Sequence, residues 1–187
     1  MLRFPNTEYY GIVVILGAVF IAVFSIVASY RFARIQSWLH PEQLDPGSQI
    51  LQGMYAIASG GFLGKGLGES IQKLGYIPEV HTDMIFTVIC EELGIAGAIL
   101  VIAVFLMVLW RLYTIASNAP DLFGGLIATG IFTHIALQLI LNIAVVTNSI
   151  PATGIPLPFI SYGGSSLLVL MSEMGLALSV SRYTEAT

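Results

Sequence analysis

Apolar residues run along this chain in long uncharged blocks, and polar residues gather between them. Tyr9–Tyr30 carries no charge and is closed off by Glu8 and Arg31. Leu93–Trp110 is uncharged up to Arg111, and it extends backwards through the apolar Ile85–Cys90 with Glu91 and Glu92 enclosed. Leu122–Ser172 holds no charged residue at all. That stretch is far longer than the roughly 20 residues one helix needs to cross a bilayer. Its interruption is visible in "TNSIPATGIPLP", where Pro151, Gly154, Pro156 and Pro158 break any helix. The pattern predicts four spans, at about 9–30, 85–110, 123–146 and 160–180. They are helices, because a backbone in lipid must satisfy its polar groups within its own segment. The expected fold is an all-α integral membrane protein, one membrane domain over residues 1–187. Both chain ends lie on one side, and a large loop, about 31–84, lies on the other.

Composition agrees. Only 10% of residues are charged and 56% are hydrophobic, and mean hydropathy is +0.87. A soluble domain carries about a quarter charged residues. The net charge of −4 gives no sign of a nucleic-acid surface. A single cysteine, Cys90, excludes an internal disulfide and a cysteine-built metal cluster; it reads as a small packing residue. Arg3, Arg111 and Arg182 fall on the side of the termini, against Arg31, Arg34, Lys65 and Lys73 on the side of the large loop. Three against four leaves the orientation open.

The large loop has order of its own. Ile50, Leu51, Met54, Tyr55, Ile57 and Ala58 fall near helical spacing and predict a short amphipathic helix. "SGGFLGKGLGES" follows, with five glycines between Gly60 and Gly68. It is not a Walker loop, since Gly66 rather than Ser or Thr follows Lys65, and it lacks the strand a dinucleotide fingerprint requires. It reads as a tight, close-packed turn near the membrane. "LGYIPEVHTDMIF" then places Glu79, His81 and Asp83 where the second span begins. A helix start favours an anion, so Thr82 or Asp83 as a plain cap stands level with Asp83 as an active group. Within the spans, Glu91, Glu92 and Glu173 need partners or a cavity, with Lys65, Lys73 or one another as candidates. His134, Gln138 and Asn142 recur every four residues on one face, as a helix contact or a cavity wall. "SYGGSS", Ser161–Ser166, brings small residues and hydroxyls to the start of the fourth span.

"GKGLGESIQKLGYIPEVHTDMIFTVICEELGIAG" and "TNSIPATGIPLPFISYGGSSLL" resemble the signature regions of the SEDS family (shape, elongation, division and sporulation proteins), to which FtsW, RodA and SpoVE belong. The likeness runs from about Tyr30 to Tyr183 and leans to the FtsW and SpoVE branch. Gly75 stands where members often carry Glu, Met84 where they often carry Phe, and Glu173 is unusual for its helix. The resemblance implies that these are the last four of ten helices, so that the chain matches the C-terminal half of a member and is inactive alone. It implies a multi-pass protein of the bacterial inner membrane with the large loop extracellular. It implies a peptidoglycan glycosyltransferase that polymerises lipid II by inversion, partnered by a class B penicillin-binding protein and other divisome or elongasome membrane proteins, in division, cell shape or sporulation.

On that reading Asp83, which matches the family's essential loop aspartate, is the general base. Lys65, Lys73 or a divalent cation such as Mg or Mn stabilises the departing pyrophosphate, with no metal ligands assigned. Glu79 and His81 orient or tune Asp83, and Ser161 and Ser165 contact substrate. Glu92, His134 and Asn142 line the lipid cavity. The competing expectations are a lipid II flippase, which needs a polar path but no base, and a non-catalytic division scaffold.

Overall fold

The computed structural model describes residues 14–15, 17–21, 29–45, 48–70 and 82–183. The chain divides into two compact units, Met1–Gln43 and Leu44–Thr187. In the first, helix α1 (Ser29–Leu39) runs into a 3-10 turn at Pro41–Gln43. The span expected at about 9–30 lies largely outside the described residues. Those of it that are described, 14–15, 17–21 and 29–30, are helical.

The second unit holds α2 (Gln49–Gly60), α3 (Ile85–Ser117), α4 (Leu122–Val146) and α5 (Gly164–Ser181). Among the described residues, α3, α4 and α5 are the three helices long and apolar enough to cross a membrane. The expected short amphipathic helix is α2, with Gln52, Gly53, Ala56 and Gly60 on its buried side. It packs on the start of α3, where a Cβ on Gly53 would meet Thr87 Cγ2 at 3.3 Å. α4 begins at Asp121, whose Oδ2 accepts from the Gly124 amide at 3.1 Å. This satisfies one of the four amides a helix start leaves open.

Two apolar clusters hold the bundle. Near the start of α3, Met84, Phe86, Val88 and Cys90 pack with Leu139 and Val146 of α4 and with Leu157 of the proline-rich turn. Towards the other end, Leu112 meets Ile131 and Ile135 of α4 and Leu170 and Ala177 of α5. The outward positions stay apolar, as lipid requires: Ile99, Leu100, Met107 and Trp110 of α3 and Leu168, Met171 and Leu178 of α5 are all exposed.

α3 is not one helix. It is 33 residues long, but Gly94 inside it has φ 66° and ψ −166°. This conformation is open essentially to glycine alone. The element is therefore a half-helix, Ile85–Leu93, followed by Ile95–Ser117. At 1.5 Å per residue the second part is about 35 Å long and spans a bilayer unaided. Glu91 and Glu92, expected inside the span, lie in the half-helix before the break.

A broken helix leaves carbonyls and amides without partners, and in lipid such groups cost several kcal/mol each. The glycine-rich loop supplies the partners. The amides of Lys65 and Gly66 donate to the carbonyls of Glu91 and Glu92 at 2.9 and 3.0 Å. The amides of Ile95 and Ala96 donate to the carbonyls of Gly61 and Phe62 at 3.0 and 3.2 Å. An unbroken helix would have bonded Ile95 to Glu91 and Ala96 to Glu92. The loop has taken both rungs apart and satisfied all four groups. The approach is close enough to exclude side chains: a Cβ on Gly64 would strike the Glu92 carbonyl, and one on Gly60 the Cys90 carbonyl. The loop is thus a tight, close-packed turn, and its glycines are there for backbone contact.

Candidate functional site

Asp83 sits two residues before the half-helix, and it does not cap it. The N-cap is Met84, whose own side chain makes no capping bond. The first turn is closed by Thr87, whose amide and hydroxyl donate to the Met84 carbonyl at 3.0 and 2.7 Å. The capping alternative for Thr82 or Asp83 is therefore not what the structure adopts. The Asp83 carboxylate is half-buried, and its Oδ1 accepts from Thr82 Oγ1 at 3.2 Å and, at a long 3.4 Å, from Gln49 Nε2 at the start of α2.

Three separate pieces of chain meet at this residue. Asn142, 1% exposed, donates from Nδ2 to the carbonyls of Asp83 and Ile155, both at 2.8 Å. Its single amide ties the half-helix to the proline-rich turn. Gly154 (φ 71°) brings that turn against the carboxylate, where a Cβ would stand 3.9 Å from Asp83 Oδ2. So the loop before α3 and the turn before α5, far apart in sequence, are joined at Asp83. Ser161 is spent locally: its Oγ accepts from the Leu157 amide at 2.8 Å, closing the turn after Pro158. Ser165 is exposed in the first turn of α5. Lys73, Glu79 and His81 lie outside the described residues.

The intramembrane acids have partners. Glu91 is fully buried. Its Oε1 receives Lys65 Nζ at 2.6 Å and its Oε2 receives Ser70 Oγ at 2.6 Å, while Ser59 Oγ, which donates to the Ala56 carbonyl at 3.0 Å, lies 3.4 Å from Oε1. Glu173 of α5 meets His134 of α4, with Nδ1 at 2.9 and 3.0 Å from the two carboxylate oxygens. Glu92 is half-buried. The face carrying His134 and Asn142 thus makes helix-to-helix and helix-to-turn contacts. Among the described residues no three His, Cys, Asp or Glu side chains gather as a cation site. A groove of about 590 Å³ opens at the far end of the bundle, lined by Phe123, Gly124, Leu176, Val180 and Tyr183 among others. It is a full helix length from Asp83.

Sequence reasoning missed Gln49, Ser59, Ser70 and Ile155. None carries a local signal. Each is recruited by a residue 13 to 34 positions away, and only the need of a buried carboxylate for donors hinted that such residues exist.

Comparison with known proteins bears on what meets here. The profile of the FtsW/RodA/SpoVE family, described as "Cell cycle protein", matches residues 5–186. The chain is 50% identical over 159 residues to stage V sporulation protein E of Bacillus subtilis, covering 84% of this chain and 43% of the relative. It is 44% identical over 192 residues to the probable peptidoglycan glycosyltransferase FtsW of the same organism, covering 97% and 48%. The chain spans about half the length of the curated relatives it matches. Among solved structures it superposes on a peptidoglycan synthase complex with TM-score 0.67 at 28% identity, over 96% of this chain and 50% of that one. It also superposes on an alanine variant of the rod shape determining protein RodA of Thermus thermophilus, with TM-score 0.53 at 34% identity, over 57% and 36%.

Proposed function

This chain belongs to the FtsW/RodA/SpoVE family, and from that membership we propose that it is the C-terminal part of a peptidoglycan glycosyltransferase that polymerises lipid II, with Asp83 as general base. The observation that carries the reading is the placement of Asp83. Its carboxylate is half-buried, is not consumed as a helix cap, and stands where the two signature regions meet.

The reaction is a single displacement with inversion. The acceptor sugar's hydroxyl oxygen attacks the anomeric carbon of the donor. The bond from that carbon to the pyrophosphate oxygen breaks, and the pyrophosphate-lipid leaves with the electron pair. The hydroxyl proton passes to the Asp83 carboxylate. Positive charge near the leaving group lowers the barrier. Lys73 is the candidate for that role, because the ammonium of Lys65 is already engaged by Glu91. Glu79 and His81 precede Asp83 closely enough to orient it, and Ser165 at the start of α5 is open to substrate. The substrate is half lipid and half sugar, so the site belongs at the outer membrane surface with the loop before α3 extracellular. A class B penicillin-binding protein is the proposed partner. The likeness to a chain of a peptidoglycan synthase complex supports that assignment.

The test is a chimera in which this chain replaces the matching region of the Bacillus subtilis stage V sporulation protein E relative. It is supplied with labelled lipid II and the cognate transpeptidase, whose crosslinking is blocked. Glycan ladders are expected from the chimera and are expected to vanish with Asp83→Asn. Ladders from both proteins would move the base elsewhere. No ladders from a folded chimera would favour lipid II transport, to be measured next by a flipping assay.

A further inference from the structure

We propose that the buried carboxylate of Glu91 is a positioning residue for Asp83, and that Lys65 serves Glu91 rather than the substrate; the inference rests on Asp83 being the base. The half-helix Ile85–Leu93 is uncoupled from the long span by the break at Gly94. Something other than helix continuity must fix its direction, and Asp83 stands just ahead of its N-cap, Met84. Apolar packing of Phe86, Val88 and Cys90 seats it on α4, and Glu91 is the buried charged side chain that ties its far end to the loop. Two short donors from the glycine-rich loop converge on its carboxylate, Lys65 on Oε1 and Ser70 on Oε2, both at 2.6 Å.

Two features make this an anchor for the catalytic end rather than a generic ion pair. First, Lys65 grips Glu91 twice. Its ammonium takes the carboxylate at 2.6 Å and its backbone amide takes the carbonyl at 2.9 Å. A lysine poised for a phosphate would not need its backbone fixed to the same residue its side chain neutralises. Second, Ser70, 1% exposed, holds the other carboxylate oxygen at 2.6 Å, so the loop fixes both oxygens of a side chain on the same half-helix whose N-cap follows Asp83. Releasing Glu91 loosens that half-helix at its far end and with it the aim of Asp83.

The same chimera carries the test, with two readouts. Lys65→Met leaves a buried carboxylate unpaired, Glu91→Gln leaves an ammonium unpaired, and the double variant Lys65→Met/Glu91→Gln is neutral and nearly isosteric. Each single variant is expected to lower kcat about tenfold with KM held within about twofold, the signature of lost geometry rather than lost binding. Each is also expected to raise hydrogen exchange at the amides of Lys65, Gly66, Ile95 and Ala96 about tenfold. The double variant should recover most of both. If the double variant recovers exchange protection while kcat stays at the Lys65→Met level, Lys65 acts on substrate and the proposal falls. It falls equally if the single variants leave exchange unchanged. Should the charge variants fail to assemble, Ser70→Ala removes one hydroxyl without stranding a charge. It is expected to lower kcat about threefold at constant KM, and an unchanged kcat would overturn the anchor. If Asp83→Asn stays active, the base reading fails and the positioning role fails with it. The exchange data then report separately whether Glu91 holds the loop.

Discussion

Replacing Gly94 by alanine tests the break in α3 directly. The alanine would meet φ 66° and ψ −166°, a region in which a non-glycine residue costs about 1–3 kcal/mol. Its Cβ would also collide with the Gly64 amide and stand 2.5 Å from the Phe62 carbonyl oxygen. Both obstacles are backbone, so neither yields by a rotamer change. The protein has two ways out. It can push the loop away and weaken the four bonds that join it to α3, each worth about 1 kcal/mol net. Or it can straighten α3, which restores the Ile95-to-Glu91 and Ala96-to-Glu92 rungs but strands the amides of Lys65 and Gly66 and the carbonyls of Gly61 and Phe62. Either route costs about 3–5 kcal/mol in all. For a chain of this size that is a fall in Tm of roughly 10 °C. Cys90 is the reporter: it is the only cysteine in the chain, 7% exposed, and its carbonyl lies against Gly60. A thiol-reactive dye in detergent reads its release on heating, and the control is Gly130→Ala. Gly130 lies in the middle of α4 with open space where its Cβ would go, so alanine there is expected to be neutral or to stabilise by up to about 1 kcal/mol. If Gly94→Ala melts within about 2 °C of wild type with Cys90 labelled no faster, the interlocked loop is not holding the structure.

Asn142→Leu is expected to cost about 2–4 kcal/mol, because it leaves the half-buried carbonyls of Asp83 and Ile155 without this donor. The same dye melt reads this as a Tm loss of roughly 5–10 °C, and a loss under about 2 °C would show that the two segments hold together without it. His134→Leu strands the Glu173 carboxylate and should cost about 1–2 kcal/mol, discounted because both side chains are partly exposed. The double variant His134→Leu/Glu173→Leu is expected to return to wild-type Tm or above, and a double variant no better than the single one would deny the pair any role.

The elements that answer to local chemistry were legible in the chain. α4 lies between Leu122 and Val146 against an expected 123–146, because a charged cap at one end and the polar, proline-rich turn at the other both act locally. α2 forms where the spacing of Ile50 to Ala58 predicts a helix, but its buried side is Gln52, Gly53, Ala56 and Gly60 rather than that apolar set, because small residues let it approach α3 closely. α5 starts at Gly164 rather than near Ile160, because Phe159 takes φ 62° and Ser161 closes a turn onto Leu157. Neither residue announces that conformation. The broken helix was less accessible still. "EELGIAG" reads as a span with one tolerated glycine, and "GGFLGKG" reads as a turn. What couples them is four backbone bonds between segments some thirty residues apart, and backbone bonds leave no trace in side-chain identity except the demand for glycine at the contacts. The acids were suspected because charge in an apolar run needs a partner, and Lys65 was among the candidates for Glu91. Ser70 was not, since a serine in a polar loop needs no explanation.

The break also accounts for why two glutamates sit beside an apolar span at all. A continuous helix from Ile85 to Ser117 would be about 50 Å long against a hydrocarbon core of about 30 Å, and Glu91 and Glu92 would ride on it as plain liabilities. Ending the span at Gly94 removes the half-helix from the lipid count and hands its polar groups to protein. The loop covers the severed backbone, and Lys65 and Ser70 cover one carboxylate. Non-helical backbone at membrane depth is tolerated only where protein buries it or where it lines a cavity. The glycines of the loop let protein do that burying at backbone distance. The half-helix so freed has one property that a continuous span lacks. Its direction is set by side-chain and loop contacts, so Asp83, just ahead of its N-cap, can be aimed independently of the helix that follows.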